Sequence, residues 1–317
     1  MLLSFLDSHT LNPGDLDLSA LTTLGKCDIY PQTPPDLIIE RCIDSEIIIT
    51  NKCQITAEVI TALPKLKYIQ VAATGYNNID LAAAKERNIS VSNVSGYSTS
   101  SVVQHTFALL LGYLNQTQTY ARETHRGDWS AQPHFSYWHS PINELNGLTL
   151  GIIGMGTIGK QVAEVGRAFG MKIISPSRGP EKDTLIDVDY LDWDSFYQSV
   201  DVVSLHCPLT PETANLINKE SLEKMKSSTI LINTSRGGTV DEKALREALK
   251  TDQIKVALLD VLSQEPPPAD HILLGIDNCL ITPHQAWGSL QSRQRLLDGI
   301  VSNIKAYLEG EPQNVVF

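Results

Sequence analysis

The chain of 317 residues lacks long apolar runs. The apolar stretch Phe107 to Leu114 is far too short to cross a bilayer, which takes about 20 residues, so no membrane partner is expected. Cysteine is sparse and scattered: Cys27, Cys42, Cys53, Cys207 and Cys279 form no C-x-x-C pair. An odd, dispersed set indicates neither a disulfide framework nor a zinc site, and fits small buried residues in a reducing compartment. No metal is expected. Positive charge is the minority, 25 basic against 36 acidic residues for a net charge of −11. An acidic surface works against nucleic acid and anionic membranes. The N-terminus, M-L-L-S-F-L-D, has no basic leader region and reads as a first strand. The C-terminal N-V-V-F is no peroxisomal address, which leaves the cytoplasm as the expected location.

What is present suits two folded domains. Hydrophobic residues make up 42% and charged residues 19%, a mix that fills full cores. Strands are expected at the N-terminus and at Leu37–Glu40, Glu46–Thr50, Tyr68–Val71 and Ser90–Ser92, with helices at Thr56–Ala62 and Leu81–Arg87. A long helix is expected from about Ser98 to Tyr120, then an irregular segment from Arg122 to Asn146. A second series follows. Its strands are at Leu148–Ile153, Lys172–Ser175, Val202–Leu205, Thr229–Asn233, Val256–Leu259 and Leu280–Thr282. Its helices are at Ile158–Ala168, Leu191–Gln198, Lys219–Lys224, Glu242–Leu249 and Ser289–Leu308. Such alternation predicts an α/β protein with two doubly wound parallel sheets.

The second series opens with L-T-L-G-I-I-G-M-G-T-I-G-K, Leu148 to Lys160. A G-x-G-x-x-G between a predicted strand and a predicted helix is a dinucleotide signature. Gly154 permits the tight turn, Gly156 admits a pyrophosphate, and Gly159 lets helix pack on strand. The helix start at Thr157 and Ile158 offers N–H groups and partial positive charge to phosphate. The next strand ends in Pro176, Ser177 and Arg178, with no acidic residue at its tip. NAD enzymes usually carry a carboxylate there for the ribose 2′-hydroxyl. A serine that bonds a 2′-phosphate and an arginine that neutralises it favour NADP over NAD. Glu181 and Asp183, a few residues on, pull the other way, and a solvated loop arginine is the plain alternative for Arg178.

Three later strand ends carry reactive side chains: Arg236 in I-L-I-N-T-S-R-G-G, Asp260 and Glu265 in A-L-L-D-V-L-S-Q-E-P-P-P, and His284 in L-I-T-P-H-Q-A-W. Ligands of doubly wound folds sit at such ends. A guanidinium grips a carboxylate with two parallel hydrogen bonds, and a carboxylate-paired imidazole is a proton donor near neutral pH. Each residue alone has an ordinary structural reading; the three together at strand ends make a site. In the first series, Y-I-Q-V-A-A-T-G-Y-N-N-I-D ends a strand in a turn at Gly75 whose N–H groups suit a carboxylate. Asn51 and Lys52 follow the preceding strand.

Taken in order, V-A-A-T-G-Y-N-N-I-D, G-M-G-T-I-G, H-C-P-L-T-P-E-T, I-N-T-S-R-G-G, D-V-L-S-Q-E-P-P and T-P-H-Q-A-W resemble the D-isomer-specific 2-hydroxyacid dehydrogenases, nearest the glycerate dehydrogenase and hydroxypyruvate reductase branch. The resemblance implies a Rossmann dinucleotide domain, 98–286, and a discontinuous flavodoxin-like substrate domain, 1–97 with 287–317, the last helix crossing back to complete it. It implies a homodimer with the active site in the interdomain cleft. Arg236 would hold the substrate carboxylate and carbonyl, with His284 as acid/base and Glu265 as its partner. Asp260 and the backbone near Thr234 would meet the nicotinamide amide, and Cys207 and Pro208 would line the cofactor pocket. Ala73, Thr74 and Gly75 would hold the substrate carboxylate, and Trp287 would wall its pocket. The expected reaction is NAD(P)-dependent reduction of hydroxypyruvate or glyoxylate to the D-2-hydroxy acid, with R configuration where C2 is stereogenic. Rival readings are a reductase of a larger 2-oxo acid and a nucleotide-sensing corepressor built on the same fold.

Overall fold

The structure, a computed structural model, describes residues 1–176 and 187–317. It divides into two compact units, Met1–Ser98 with Trp287–Phe317, and Thr99–Ala286.

The first unit runs β1 (Leu2–Phe5), α1 (Ser19–Thr22), β2 (Lys26–Ile29), α2 (Ile38–Cys42), β3 (Ile47–Thr50), α3 (Ala57–Ala62), β4 (Tyr68–Val71), α4 (Leu81–Glu86) and β5 (Ser90–Ser92). The five strands are parallel in the order β2-β1-β3-β4-β5, the flavodoxin-like order. Both faces are buried, so β3 is apolar along its length: Ile48 packs among Val59, Ile60 and Ile69, and Ile47 and Ile49 face the opposite core. Thr56 and Asp80 cap α3 and α4 by accepting from the N–H groups of Val59 and Ala83. The strand expected at Leu37–Glu40 is instead a 3₁₀ turn running into α2. Pro35 begins that turn, where a fixed φ favours a helical start, and the short apolar run Leu37, Ile38, Ile39 does not distinguish strand from helix.

The second unit runs α5 (Thr99–Asn115), α6 (Thr117–Arg126), β6 (Thr149–Ile153), α7 (Thr157–Ala168), β7 (Lys172–Pro176), β8 (Asp189–Leu191), α8 (Trp193–Ser199), β9 (Val202–Leu205), α9 (Lys219–Lys224), β10 (Ile230–Asn233), α10 (Glu242–Lys250), β11 (Val256–Leu259) and β12 (Cys279–Ile281). Its parallel order is β12-β11-β10-β9-β6-β7-β8. With β6 as the first strand this is the Rossmann winding, and the order reverses at β6, where the glycine motif begins. Leu150, Ile152, Val202 and Ile232 pack on one face with Val103, Phe107 and Val162 of α5 and α7; Val203, Leu205, Leu231 and Leu259 fill the other. The single long helix expected to Tyr120 is broken at Gln116, which takes a left-handed φ of 49°. Helix α6 then runs into the segment expected to be irregular. The rest of that segment is tied to α6 by Tyr137 and His139, both bonded to Glu123.

The final helix α11 (Leu290–Leu308) belongs to the first unit. Leu296, Leu297, Ile300 and Ile304 cover the sheet face that carries Leu3, Phe5, Ile47, Ile49 and Tyr68. Tyr307 stacks on Tyr68 with ring centres 4.3 Å apart, and Arg293 clasps Asp15 at 2.6 Å. The tail beyond α11 lies along β5: the Val316 N–H donates to Val91 and the Ser92 hydroxyl to Gln313. Among the described residues no helix is long and apolar enough to cross a membrane.

Candidate active site

The glycine turn after β6 is shaped by backbone contact. Gly154 has φ +104°, and a Cβ there would stand 2.6 Å from the Cys207 nitrogen; at Gly159 it would stand 2.1 Å from the Gly154 carbonyl. Neither position tolerates a side chain. Gly156 faces open space, with nothing within 4 Å of an added Cβ. It caps α7 without a side-chain bond, and the first intrahelical bond at this end is Lys160 to Gly156. The N–H groups of Thr157, Ile158 and Gly159 therefore remain for an anion. An open cradle at a helix start, on the switch strand of the sheet, fits the pyrophosphate of a dinucleotide. Cys207 is buried behind the turn and Pro208 is exposed beside it. Ser177 and Arg178, with Glu181 and Asp183, lie outside the described residues.

The reactive side chains follow three neighbouring strands, β10, β11 and β12, whose last residues pair Asn233 with Leu259 and Leu259 with Ile281. His284 Nδ1 and Glu265 Oε2 are 2.6 Å apart, and both side chains are about one third exposed, at 27% and 32%. Among the described residues Nε2 of His284 has no partner. Such an imidazole is oriented by its carboxylate at one nitrogen and open for proton transfer at the other. The Leu262 N–H donates to Glu265 Oε1 at 3.0 Å, which fixes the carboxylate's second oxygen.

Arg236 follows β10. Its backbone carbonyl is fixed by Asn233 Nδ2 at 3.0 Å and Thr239 Oγ1 at 2.7 Å. Its guanidinium is exposed and donates to the Ser235 carbonyl; among the described residues no carboxylate pairs with it. The next residue locks this loop against the Glu265 loop: a Cβ on Gly237 would come within 1.9 Å of the Leu262 carbonyl carbon. The loops that bear the cation and the carboxylate are thus in backbone contact.

Asp260 holds the His284 loop from beneath. It is 1% exposed, and its carboxylate accepts from the Thr282 hydroxyl at 2.6 Å, the Gln285 N–H at 3.0 Å and the Ala286 N–H at 2.8 Å. Burial pushes this carboxyl up, but hydrogen bonds from His105, Thr282, Ala286 and Gln285 outweigh it and hold the group below its ordinary value. Expected at the nicotinamide amide, Asp260 is taken up by the chain's own donors. On the Glu265 side, Glu242 accepts from both the N–H and the hydroxyl of Ser263 and lies 3.2 Å from His271 Nε2. Thr234 is buried, its hydroxyl 3.4 Å from that of Thr106. Sequence reasoning missed His105, Thr282, Glu242 and His271 as supports, because each meets its partner across a long chain separation without a local pattern.

In the first unit the expected residues fall at two strand ends. Asp7, after β1, is buried and accepts from the backbone N–H groups of Asn51, Lys52 and Cys53, so those N–H groups are already used. Asn51 is itself buried and donates to Thr10, while the Lys52 side chain is exposed. After β4, by contrast, no described protein acceptor takes the N–H groups of Ala73, Thr74 and Gly75. The Thr74 hydroxyl and carbonyl are fixed by Val94 and Asn93. This second turn is the one that fits a carboxylate. Trp287 is partly buried against the first unit's core, its ring edge-on to Tyr97 at 6.3 Å.

Comparison with known proteins identifies the family. A family model, D-isomer specific 2-hydroxyacid dehydrogenase, NAD binding domain, matches residues 107–286. The chain is similar to a hydroxypyruvate reductase of Blautia hydrogenotrophica, 40% identical over 316 residues and covering 98% of each. It is similar also to a glycerate dehydrogenase of Methylorubrum extorquens, 44% identical over 284 residues, 89% of this chain and 88% of that protein. Among solved structures, an acyclic imino acid reductase (Bsp5) in complex with NADPH and D-Arg superposes with a TM-score of 0.86 at 30% identity, covering 100% of both chains. The protein is an oxidoreductase of CH–OH donors with a nicotinamide dinucleotide cofactor, and the chain belongs to the D-isomer specific 2-hydroxyacid dehydrogenase family.

Proposed function

We propose that the chain reduces hydroxypyruvate or glyoxylate to the 2-hydroxy acid, preferring NADPH to NADH, and runs the reverse oxidation of D-glycerate or glycolate. The contact of 2.6 Å between His284 and Glu265, on a loop in backbone contact with that of Arg236, whose guanidinium has no carboxylate partner among the described residues, carries the reading. When bound, the nicotinamide dinucleotide supplies the hydride. Arg236 holds the substrate carboxylate and polarises the carbonyl. His284 gives its Nε2 proton to the carbonyl oxygen as that oxygen gains charge, and Glu265 stabilises the resulting imidazole orientation. In the first unit, the N–H groups of Ala73, Thr74 and Gly75, which have no protein acceptor among the described residues, are suited to a carboxylate, and Asn51, Lys52 and Trp287 are the further proposed substrate residues. Thr157, Ile158 and the three glycines hold the pyrophosphate, with Cys207, Pro208 and Thr234 lining the cofactor path.

The preference for NADPH rests on Ser177 and Arg178, the residues that follow Pro176 in the sequence. A panel of 2-oxo acids assayed with each cofactor tests both halves of the proposal. Hydroxypyruvate and glyoxylate should give the highest kcat/KM; a bulkier 2-oxo acid leading the panel would overturn the substrate, and NADH leading would overturn the cofactor. Arg178→Ala should raise KM for NADPH and leave that for NADH nearly unchanged.

A second copy of the chain is the proposed partner. An apolar groove of about 460 Å³ between α5 and α7, lined by Val103, Phe107, Ala108, Leu111, Val165 and Phe169, lies open in the second unit. Phe135 and Trp138 of the same unit are also exposed, at 91% and 63%. Apolar surface of this kind marks association. Sedimentation should show a dimer, and a monomer at micromolar concentration would refute it.

A further inference from the structure

We propose that His105, on α5, is a positioning residue for the catalytic histidine, acting through Thr282 and Asp260. The inference rests on the reading of His284 as the proton donor, and adds a residue that reading does not require.

The geometry is a chain of single bonds. His105 Nε2 lies 3.0 Å from Thr282 Oγ1 and 3.4 Å from Asp260 Oδ1. Thr282 has one hydroxyl proton, and it points at Asp260 Oδ1 over 2.6 Å. The hydroxyl oxygen can then only accept from His105, so Nε2 of His105 carries a hydrogen. Asp260 in turn takes the N–H groups of Gln285 and Ala286, and its backbone carbonyl takes the N–H of His284 at 2.8 Å. His284 sits in this loop at a positive φ of 49°, a conformation uncommon for residues other than glycine, which the surrounding hydrogen bonds help to hold. The group at their centre is one carboxylate; its Oδ1 also faces the donors of Thr282 and His105. Losing the His105 N–H leaves the threonine hydroxyl free to rotate toward the Leu259 carbonyl, 3.4 Å away, and Asp260 Oδ1, which also holds the Gln285 N–H, loses both the threonine donor and the nearby histidine N–H. The loop then samples ordinary backbone angles and the imidazole leaves Glu265. His105, Asp260, Thr282, His284, Gln285 and Ala286 all lie in the second unit.

Packing alone predicts a different pattern from hydrogen bonding. His105→Gln keeps an N–H donor near the Nε2 position; His105→Leu keeps volume and removes the donor. In the holoenzyme, His105→Leu should lower kcat about tenfold, with KM for 2-oxo acid and cofactor within about twofold, and His105→Gln should recover most of the loss. Thr282→Val should reproduce the leucine variant, and the double variant should be no worse than either, because both break one chain. Amide hydrogen exchange at Gln285 and Ala286 should quicken in His105→Leu and Thr282→Val and stay at the wild-type rate in His105→Gln. Equal impairment of the glutamine and leucine variants, additive losses, or unchanged exchange in the leucine variant would each overturn the proposal. If the leucine variant does not fold, Thr282→Val against His105→Gln makes the same comparison. A wild-type enzyme silent toward every 2-oxo acid would defeat the proposed function; the exchange rates would still decide this one.

Discussion

Asp260 governs a histidine that it does not touch with its side chain. Its carboxylate takes the Thr282 hydroxyl before the histidine and the Gln285 and Ala286 N–H groups after it, so its identity as an acceptor on both oxygens matters more than its charge at a distance. Asp260→Asn places an amide N–H against a backbone N–H or against the Thr282 hydroxyl. A buried donor left unsatisfied costs about 1–3 kcal/mol, so kcat should fall at least tenfold while the cofactor still binds; a titration of cofactor fluorescence and a kcat measurement separate the two. The pH sense follows from the lowered carboxyl. A group whose folded value lies below its unfolded one contributes stability above the unfolded value, about 3.9, and loses it as pH falls through the lower folded value. The His284 loop should therefore stay ordered across neutral and mildly acidic pH and loosen only below about 4, as read by exchange of the Ala286 amide. His284→Ala should cut kcat by about 10²–10⁴, the usual worth of a positioned general acid, and Arg236→Ala should raise KM for the 2-oxo acid more than it changes KM for cofactor.

Strand ends and the glycines behind them are the functional elements. The glycine turn was legible in the sequence because three glycines at fixed offsets, between a strand and a helix, answer three separate steric demands. Arg236, Glu265 and His284 were legible as strand-end residues, and the second unit's seven-stranded winding puts β10, β11 and β12 side by side. The underpinning was not legible. Glu242 meets Ser263, and His105 meets Thr282, across 21 and 177 residues of chain. Two of the four edge strands escaped for a different reason: β2 and β8 are short and half exposed, so neither an apolar run nor clean alternation marks them. Gly237 tests how tightly the site's elements are fitted. Gly237→Ala must part the Arg236 loop from Leu262, whose N–H holds Glu265. The variant should fold with a lowered thermal midpoint and lose most of its kcat, whereas Gly156→Ala, facing open space, should keep its midpoint and weaken only cofactor binding.

At the scale of the whole chain, the first unit is closed by its last residues. The tail after α11 runs beside β5, taking Val91 and Ser92 as partners and covering an edge that would otherwise invite pairing with another chain. Removing residues 311–317 should lower the midpoint of the first unit's unfolding and raise aggregation, measured by calorimetry and light scattering. Helix α11 covers a larger area, the sheet face of Leu3, Phe5, Ile47, Ile49 and Tyr68. During synthesis the ribosome makes that face first and its cover last, with the 188 residues of Thr99–Ala286 emerging in between. The nascent polypeptide must carry a greasy, half-finished sheet for the whole of that interval, while the second unit has all it needs to fold as it emerges. Chaperone demand should therefore peak before residues 287–317 emerge, and a ribosome stalled after Ala286 should present a chain that holdase chaperones grip and that a supplied peptide of residues 287–317 releases.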